Sequence, residues 1–376
     1  MSASVKKVLI IGGGFSGMSA AIKLCEQGVE TQLLEIDPDW RADGAGISVG
    51  GATLRALANL GVLDEFLDQG SVQEALEIMA PTGQLLQKIP NPPVAGANVP
   101  GGGAIMRPAL ARILSRKVVE AGAKVRLGYS YSSIDQDDEG VTVTFDDGSS
   151  DRFDLVIGAD GLYSKTREWL LPDAPKPGYS GQGVWRAVLP RPPEAQNTMM
   201  WVGPNLKAGI NPMSKDQVYL FLTEDKKVKE RVPEEELVSR LKDLLSTFPA
   251  PLVQVLRGQL DETSQVMLRP LEGLLVPLPW FRGRVVLIGD TVHATTPHLA
   301  SGACIGIEDA IVLAEELAGR DTLEGALDAF QQRRWERCRM VVENSGRLGQ
   351  IEIEGGDKQE HANIMRESMQ ALAQPI

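Results

Sequence analysis

Val8-Leu9-Ile10-Ile11-Gly12-Gly13-Gly14-Phe15-Ser16-Gly17 is the stretch that decides the fold. Four apolar residues in a row, Val8 to Ile11, read as a strand buried on both faces of a parallel sheet. The glycines that follow have the spacing Gly-x-Gly-x-x-Gly. Gly12 allows a tight turn out of the strand. Gly14 lets the backbone approach a pyrophosphate, and Gly17 lets the next helix pack close to the strand. That helix is predicted over 16–27, with Gly28 placed to stop it. Its N-terminus would aim free amides and a partial positive charge at phosphates. A second strand is predicted over 31–35. Glu35 ends it, eighteen residues after Gly17. A carboxylate there accepts hydrogen bonds from both hydroxyls of an adenosine ribose and repels a 2′-phosphate. The unit is therefore expected to hold FAD or NAD, not NADP.

Two more strand-and-glycine segments lie far downstream. Residues 154–157 run into Gly158-Ala159-Asp160-Gly161, and 284–288 run into Gly289-Asp290-Thr291-Val292-His293. A doubly wound sheet presents such turns at the carboxyl ends of its strands, where a dinucleotide lies. The third segment separates FAD from NAD. A flavin carries a ribityl chain whose hydroxyls want a carboxylate, and Asp290 is the candidate; the plainer alternative is a helix-capping acid. Beyond it, Pro297-His298-Leu299-Ala300-Ser301-Gly302-Ala303 precedes a helix predicted over 305–318. Amides at that helix start would face the flavin ring edge and stabilise negative charge on the reduced ring. In the second segment Asp160 is expected to orient amides near the pyrophosphate, Ser164 to cap a helix, and Arg167 to form a structural ion pair, with Asp160 as its partner.

The surrounding chain fits an α/β nucleotide-binding layer with an inserted β unit. With 376 residues and 43% hydrophobic composition, it can bury a large core and form two domains. Helices are predicted over 52–69 and 107–121, a hairpin over 75–90 around Pro81-Thr82-Gly83, and an antiparallel ribbon with turns at 137–140 and 146–148. Residues 91–103 read as a long proline- and glycine-rich loop. Short strand-like runs at 183–189, 198–202, 207–210 and 218–223, then helices over 234–245 and 251–260, suggest a mainly antiparallel second domain. The expected division is 1–175 and 270–376 for the FAD-binding domain and 176–269 for the substrate domain. More helix is predicted over 323–349, and the polar last twenty-odd residues are expected to fray. A formal net charge of -12 disfavours nucleic acid and anionic membrane as partners. Three widely spaced cysteines, Cys25, Cys304 and Cys338, suggest no disulfide framework. With no apolar run of bilayer length, the expectation is a cytoplasmic monomer or homodimer.

These motifs, with Arg41, Gly44-Ala45-Gly46-Ile47, Arg107 and Glu308-Asp309-Ala310, resemble the class A, single-component FAD-dependent monooxygenases, similar to p-hydroxybenzoate hydroxylase and closest in look to the salicylate, urate and hydroxynicotinate hydroxylases. The resemblance runs from Val5 to about Gly346 and is nearly silent on substrate. It implies a Rossmann-like FAD-binding domain of the glutathione-reductase type with an inserted antiparallel β domain. It implies FAD bound tightly and non-covalently by Gly12, Gly14, Phe15, Ser16, Gly17, Glu35, Arg41, Gly46, Arg107, Asp160, Gly161, Gly289, Asp290, Pro297, Gly302 and Ala303. It also implies NADH or NADPH as a transient co-substrate, O2, and a C4a-hydroperoxide that hydroxylates a small aromatic ring. The alternatives on this fold are an epoxidase, a Baeyer–Villiger-type oxygenase or a flavin-dependent reductase. Ala300 and Cys304 depart from the glycine-rich wording of the salicylate-type members.

On the substrate side, Trp185, Met199, Trp201, Ile210, Met213, Tyr219 and Phe221 are apolar candidates, of which about half are expected in the pocket. Lys207 and Tyr219 align with an arginine and a tyrosine that serve the substrate in urate-type relatives; lysine loses the bidentate fork. His298 reads either as a proton exchanger beside the flavin or as a loop histidine bonded to backbone. His293 is read as structural, behind Asp290, and Cys304 as a buried helix-start residue. Arg186 reads as half of a structural ion pair or as a substrate clamp.

Overall fold

A computed structural model describes residues 5–41, 44–94, 98–204 and 206–376. Its central sheet has six strands in the order Phe281–Arg282, Val285–Leu287, Leu155–Gly158, Lys7–Ile11, Glu30–Glu35, Lys124–Leu127. All neighbours are parallel except the first, short pair. Val8 to Ile10 and Leu155 to Ile157 are completely buried, as an apolar run in a sheet covered on both faces must be. Helices Phe15–Glu26 and Gly302–Gly319 pack together in this layer. Val141, Val143, Phe145 and Phe153 of the three-stranded ribbon join the same core. Register sets the site: Ile11 pairs with Leu34 on one side and Gly158 on the other, and Gly158 pairs with Leu287. The three glycine turns therefore leave the sheet at one level of one edge.

A second sheet has seven strands, in the order Val266–Gly273, Gly178–Pro190, Gln217–Asp225, Leu206–Pro212, Thr198–Val202, Ala75–Met79, Leu85–Pro90. The last two form the hairpin expected from Pro81-Thr82-Gly83, and they join this sheet through a parallel pairing with Thr198–Val202. The sheet is thus not confined to 176–269. Alternation sorts its two faces. Trp185, Ala187, Trp201, Ala208, Ile210, Leu220 and Leu222 enter a core closed by Leu241, Leu245, Val253 and Leu256 of helices Glu234–Ser246 and Pro251–Gln259. The opposite face carries Arg186, Val188, Tyr219 and Phe221.

The chain end differs from expectation. Instead of fraying, it forms helix Lys358–Ala373. Arg55 donates to the carbonyls of Ala373 and Gln374, both at 2.8 Å, and Arg337 to that of Leu372 at 2.9 Å. Two guanidiniums thereby satisfy the open carbonyls of a helix C-terminus. Leu372 is buried against the core, so the polar composition hid one anchoring side chain. Of the 91–103 loop, residues 95–97 lie outside the described ones; its end becomes strand Gly102–Met106. Among the described residues, no helix is long and apolar enough to cross a membrane.

Candidate active site

The first turn is shaped by backbone proximity. Gly12 has φ +109°, in the left-handed region that favours glycine, and a Cβ there would strike the carbonyl of Ala159. A Cβ on Gly17 would strike the carbonyl of Gly12. Gly14 is different: it is exposed, and a Cβ there would meet nothing within 4 Å. It is the N-cap of helix Phe15–Glu26, which has neither a side-chain cap nor an acid in its first turn. Helix Gly302–Gly319 likewise begins without a side-chain cap or a first-turn acid. The two helix starts lie together, since the Ser16 side chain packs against Gly289 and Gly306. Two sets of orphan amides therefore lie near one another, and each favours an anion.

Carboxylates mark the groove's ends. Glu35 accepts from the amides of Gly13 at 2.7 Å and Asp37 at 2.8 Å. Each carboxylate oxygen keeps a lone pair for another donor. Trp40 bonds the Gly13 carbonyl at 2.9 Å and holds that turn. Arg41 is exposed and pairs with Asp37 at 3.1 Å. Asp290, at the start of the short helix Asp290–His293, is exposed, and no described residue hydrogen-bonds its carboxylate. Protein closes round it while the groove leaves it open to solvent. Loss of surrounding water raises its pKa, against the pull of His293 and Arg107.

The second segment braces the site. Asp160 accepts from the Ser164 hydroxyl at 2.5 Å and from the Thr166 amide and hydroxyl, each at 3.0 Å. Ser164 caps helix Lys165–Leu170 by accepting from the Arg167 amide at 2.8 Å. The expected Arg167–Asp160 ion pair does not form. Arg167 donates instead to the carbonyls of Thr291 and Leu162, both at 2.9 Å, because Asp160 is spent on the helix start. The Gly161 amide reaches the Thr291 hydroxyl at 3.1 Å, so the second and third turns are joined directly.

Behind Asp290 lies a buried ionic knot. Asp309 accepts from the Gly289 amide at 2.9 Å, pairs with His293 at 2.5 Å and accepts from Arg334 at 2.8 Å. Arg334 also reaches Glu308 at 3.0 Å, and Arg337 grips both oxygens of Glu308 at 2.7 Å. Burial opposes charge on both members of the central pair. The His293 pull outweighs it and lowers the Asp309 pKa; the Asp309 pull outweighs it and raises that of His293. The knot fixes the turn from which Asp290 projects.

The second sheet roofs the 44–47 loop. A Cβ on Gly46 would sit 2.6 Å from the Met213 sulfur and 3.0 Å from the Tyr219 Cβ. Ala45, Ala104, Met213 and Tyr219 form a separate apolar cluster, with Val188, Phe221 and Met267 against it. Below, Arg107 lies over the Phe15 ring at 5.0 Å. Burial raises the Tyr219 pKa, against Arg186 and Arg107. Of the apolar candidates, Met213, Tyr219 and Phe221 belong to this cluster, whereas Trp185, Met199, Trp201 and Ile210 belong to the opposite core.

Lys207 is expected at the substrate, and His298 either beside the flavin as a proton exchanger or bonded to backbone in its loop. The structure sets both on Glu352 of helix Leu323–Glu354, at 2.6 Å and 3.5 Å. The His298 side chain is only 3% exposed, and its other ring nitrogen meets the Thr296 hydroxyl at 2.9 Å. Burial lowers its pKa although Glu352 pulls the other way. Burial opposes charge on Glu352, but Lys207 and His298 outweigh it, and its carboxyl lies far below the usual range. Pro297 and Ala300 are exposed on the loop that His298 anchors, Gly302 and Ala303 half-buried. Ala300 holds φ +49°, a left-handed conformation that a glycine adopts without strain.

Residues 6–345 match the FAD binding domain family. The chain belongs to that family and is an FAD-dependent monooxygenase. Over 353 residues it is 30% identical to a putative FAD-dependent monooxygenase, YetM, of Bacillus subtilis, covering 93% of this chain and 95% of that one. It is 32% identical over 353 residues to the 2-heptyl-3-hydroxy-4(1H)-quinolone synthase of Pseudomonas aeruginosa, covering 92% and 90%. The crystal structure of Klebsiella pneumoniae HpxO complexed with FAD and uric acid superimposes with a TM-score of 0.83 at 26% identity, over 98% of this chain and 92% of that one.

For this monooxygenase, sequence reasoning missed Glu352, Thr291 as a bridge between two turns, and the role of Asp309. Asp309 was visible as part of Glu308-Asp309-Ala310, but nothing local tells that it reaches back to Gly289. Glu352 sits in a polar helical stretch with no distinguishing pattern.

Proposed function

We propose that the monooxygenase hydroxylates a small aromatic or heteroaromatic ring, consuming NADH or NADPH and O2. The observation that carries this reading is the convergence of two uncapped helix starts, Glu35 and Asp290 on one groove roofed by an apolar sheet face. FAD fits it. Gly14 would admit the pyrophosphate to the amides of the first helix, Glu35 would take the ribose, and Asp290 the ribityl hydroxyls. Bound there, FAD supplies hydride acceptance and activation of O2. The chain's part is to orient and shield. The start of helix Gly302–Gly319 favours negative charge at the ring edge. Met213, Phe221 and Gly46 keep water from the ring. Tyr219 offers a hydroxyl to substrate, and its raised pKa keeps that hydroxyl a donor at neutral pH. Lys207 and His298 act at one remove, through Glu352, by pinning the roof and the 297–303 loop to one helix. The heteroaromatic class draws support from the quinolone and uric acid named for the relatives.

Purified protein should be yellow. A panel of phenols, hydroxypyridines and quinolones should contain compounds that speed NADH or NADPH oxidation and gain one ¹⁸O atom from ¹⁸O2. Protein that cannot be reconstituted with FAD sinks the proposal. So does coenzyme oxidation with no label in any product, which is the mark of a reductase.

A further inference from the structure

We propose that Arg186 is the anion clamp of the substrate pocket, and that the substrate's ring carries an ionised oxygen, as a carboxylate or a deprotonated hydroxyl. This assignment rests on the hydroxylase reading above. Arg186 lies on strand Gly178–Pro190, directly opposite Phe221 on one neighbour and Met267 on the other. Both belong to the apolar wall around Tyr219 and Met213. Its neighbours in sequence, Trp185 and Ala187, point into the far core, so alternation directs Arg186 into the pocket.

The guanidinium has five donors. Among the described residues none accepts from it, and no carboxylate lies within ion-pair distance; its Nε is buried without a partner. Arg186 itself is half-buried, with its Nε closed off; the fully buried arginines are satisfied, Arg167 by two carbonyls and Arg334 by Glu308, Asp309 and the Ile305 carbonyl. A buried Nε–H left without an acceptor beside an apolar wall costs stability unless a ligand completes it. The planar fork suits a carboxylate or a ring-oxygen anion. Lys207, on the same face of the sheet, is neutralised by Glu352, whereas Arg186 has no carboxylate partner among the described residues. The structural ion pair weighed from sequence has no partner here.

The test uses FAD-loaded enzyme and matched ligands. Binding of benzoate against benzamide, and of 4-nitrophenolate against 4-nitroanisole on the alkaline side where the phenol is ionised, is read from the flavin absorbance and by calorimetry. Wild-type enzyme should prefer the anion of at least one pair by about 10- to 100-fold, the range for a charge-assisted hydrogen bond. The preferred pair tells carboxylate from phenolate. Arg186→Met should abolish that preference, and its apoprotein should unfold no earlier than wild type. Arg186→Gln serves if the methionine variant does not fold. A preference that survives substitution overturns the proposal. No preference in wild type, or a large loss of stability in both variants, does the same. FAD content and ¹⁸O incorporation are read on the same preparations. A yellow, oxygenating enzyme indifferent to ligand charge defeats only this inference; loss of colour or label defeats the function proposed above.

Discussion

Substituting Gly14 with alanine should separate folding from cofactor binding. The backbone there has φ -73° and ψ -178°, which alanine adopts without strain. The added methyl meets no protein atom within 4 Å. Gly→Ala at a compatible site stabilises by about 0.4–1 kcal/mol, because the unfolded chain loses freedom. The apoprotein should therefore unfold at the same denaturant concentration as wild type or slightly higher. FAD binding should move the other way. The methyl would stand where the pyrophosphate is proposed to approach the free amides of the helix, and losing one or two charge-assisted hydrogen bonds, at about 1.5–3 kcal/mol each, weakens FAD by roughly 10-fold to about 10⁴-fold. The assay is a titration of apoprotein with FAD, followed by quenching of flavin fluorescence, beside a urea melt. An unchanged FAD affinity in a folded variant refutes the phosphate-cradle argument. Gly17→Ala is the contrast, since its methyl would strike the Gly12 carbonyl; it should lose stability as well as FAD.

Asp290→Ala should leave the apoprotein's unfolding midpoint unchanged, because the carboxylate has no partner among the described residues, and raise the FAD dissociation constant about 10- to 100-fold; normal flavin content removes Asp290 from the ribityl role. Asp309→Ala leaves His293 buried without its carboxylate and Arg334 with Glu308 alone and should cost about 3–5 kcal/mol in a urea melt; a loss under about 1 kcal/mol would show that the knot does not support the fold. Glu352→Gln should cost about 2 kcal/mol at neutral pH by releasing Lys207 and His298. The folded-state pKa of Glu352 is depressed, so its contribution is full above the ordinary carboxylate range and fades as pH falls through the folded value. Melts of both proteins should therefore converge only in strong acid, and a difference that instead vanishes between pH 5 and 7 counts against the assignment.

The nucleotide layer could be read from sequence because its chemistry is local. Gly12 to Gly17 carry their reason within six residues, and the apolar run before them gives the strand. Glu35 and Asp290 each follow a strand at a fixed place. The register that brings Ile11, Gly158 and Leu287 level only completes what those segments specify. The roof was harder to read. Trp185 and Tyr219 look equally suited to a pocket, and only strand alternation across paired neighbours assigns them to opposite faces. The hairpin at 75–90 was visible as a hairpin, yet its parallel pairing with Thr198–Val202 joins segments over a hundred residues apart. Lys207 and His298 are reactive types near the right place in the sequence. Their partner, Glu352, lies in a helical stretch where a glutamate ordinarily faces solvent, so the neutralisation could not be foreseen.

That division of difficulty follows from how the two halves of the site work. FAD presents the same phosphates and hydroxyls to every member of the family, so the residues that meet it answer to one fixed geometry and leave a regular trace. A ring substrate has no such constancy. The roof meets it with side chains spaced along four strands, and a cation placed on any inward position of that face can reach the same pocket. Lys207 is tied to Glu352, and on the proposal above Arg186 is the cation of this face left to meet an anionic ligand. If neither cation binds ligand, the buried Nε of Arg186 remains an uncompensated cost in a wall that methionine would fill as well. The stability of Arg186→Met thus bears on the pocket's chemistry before any substrate is known.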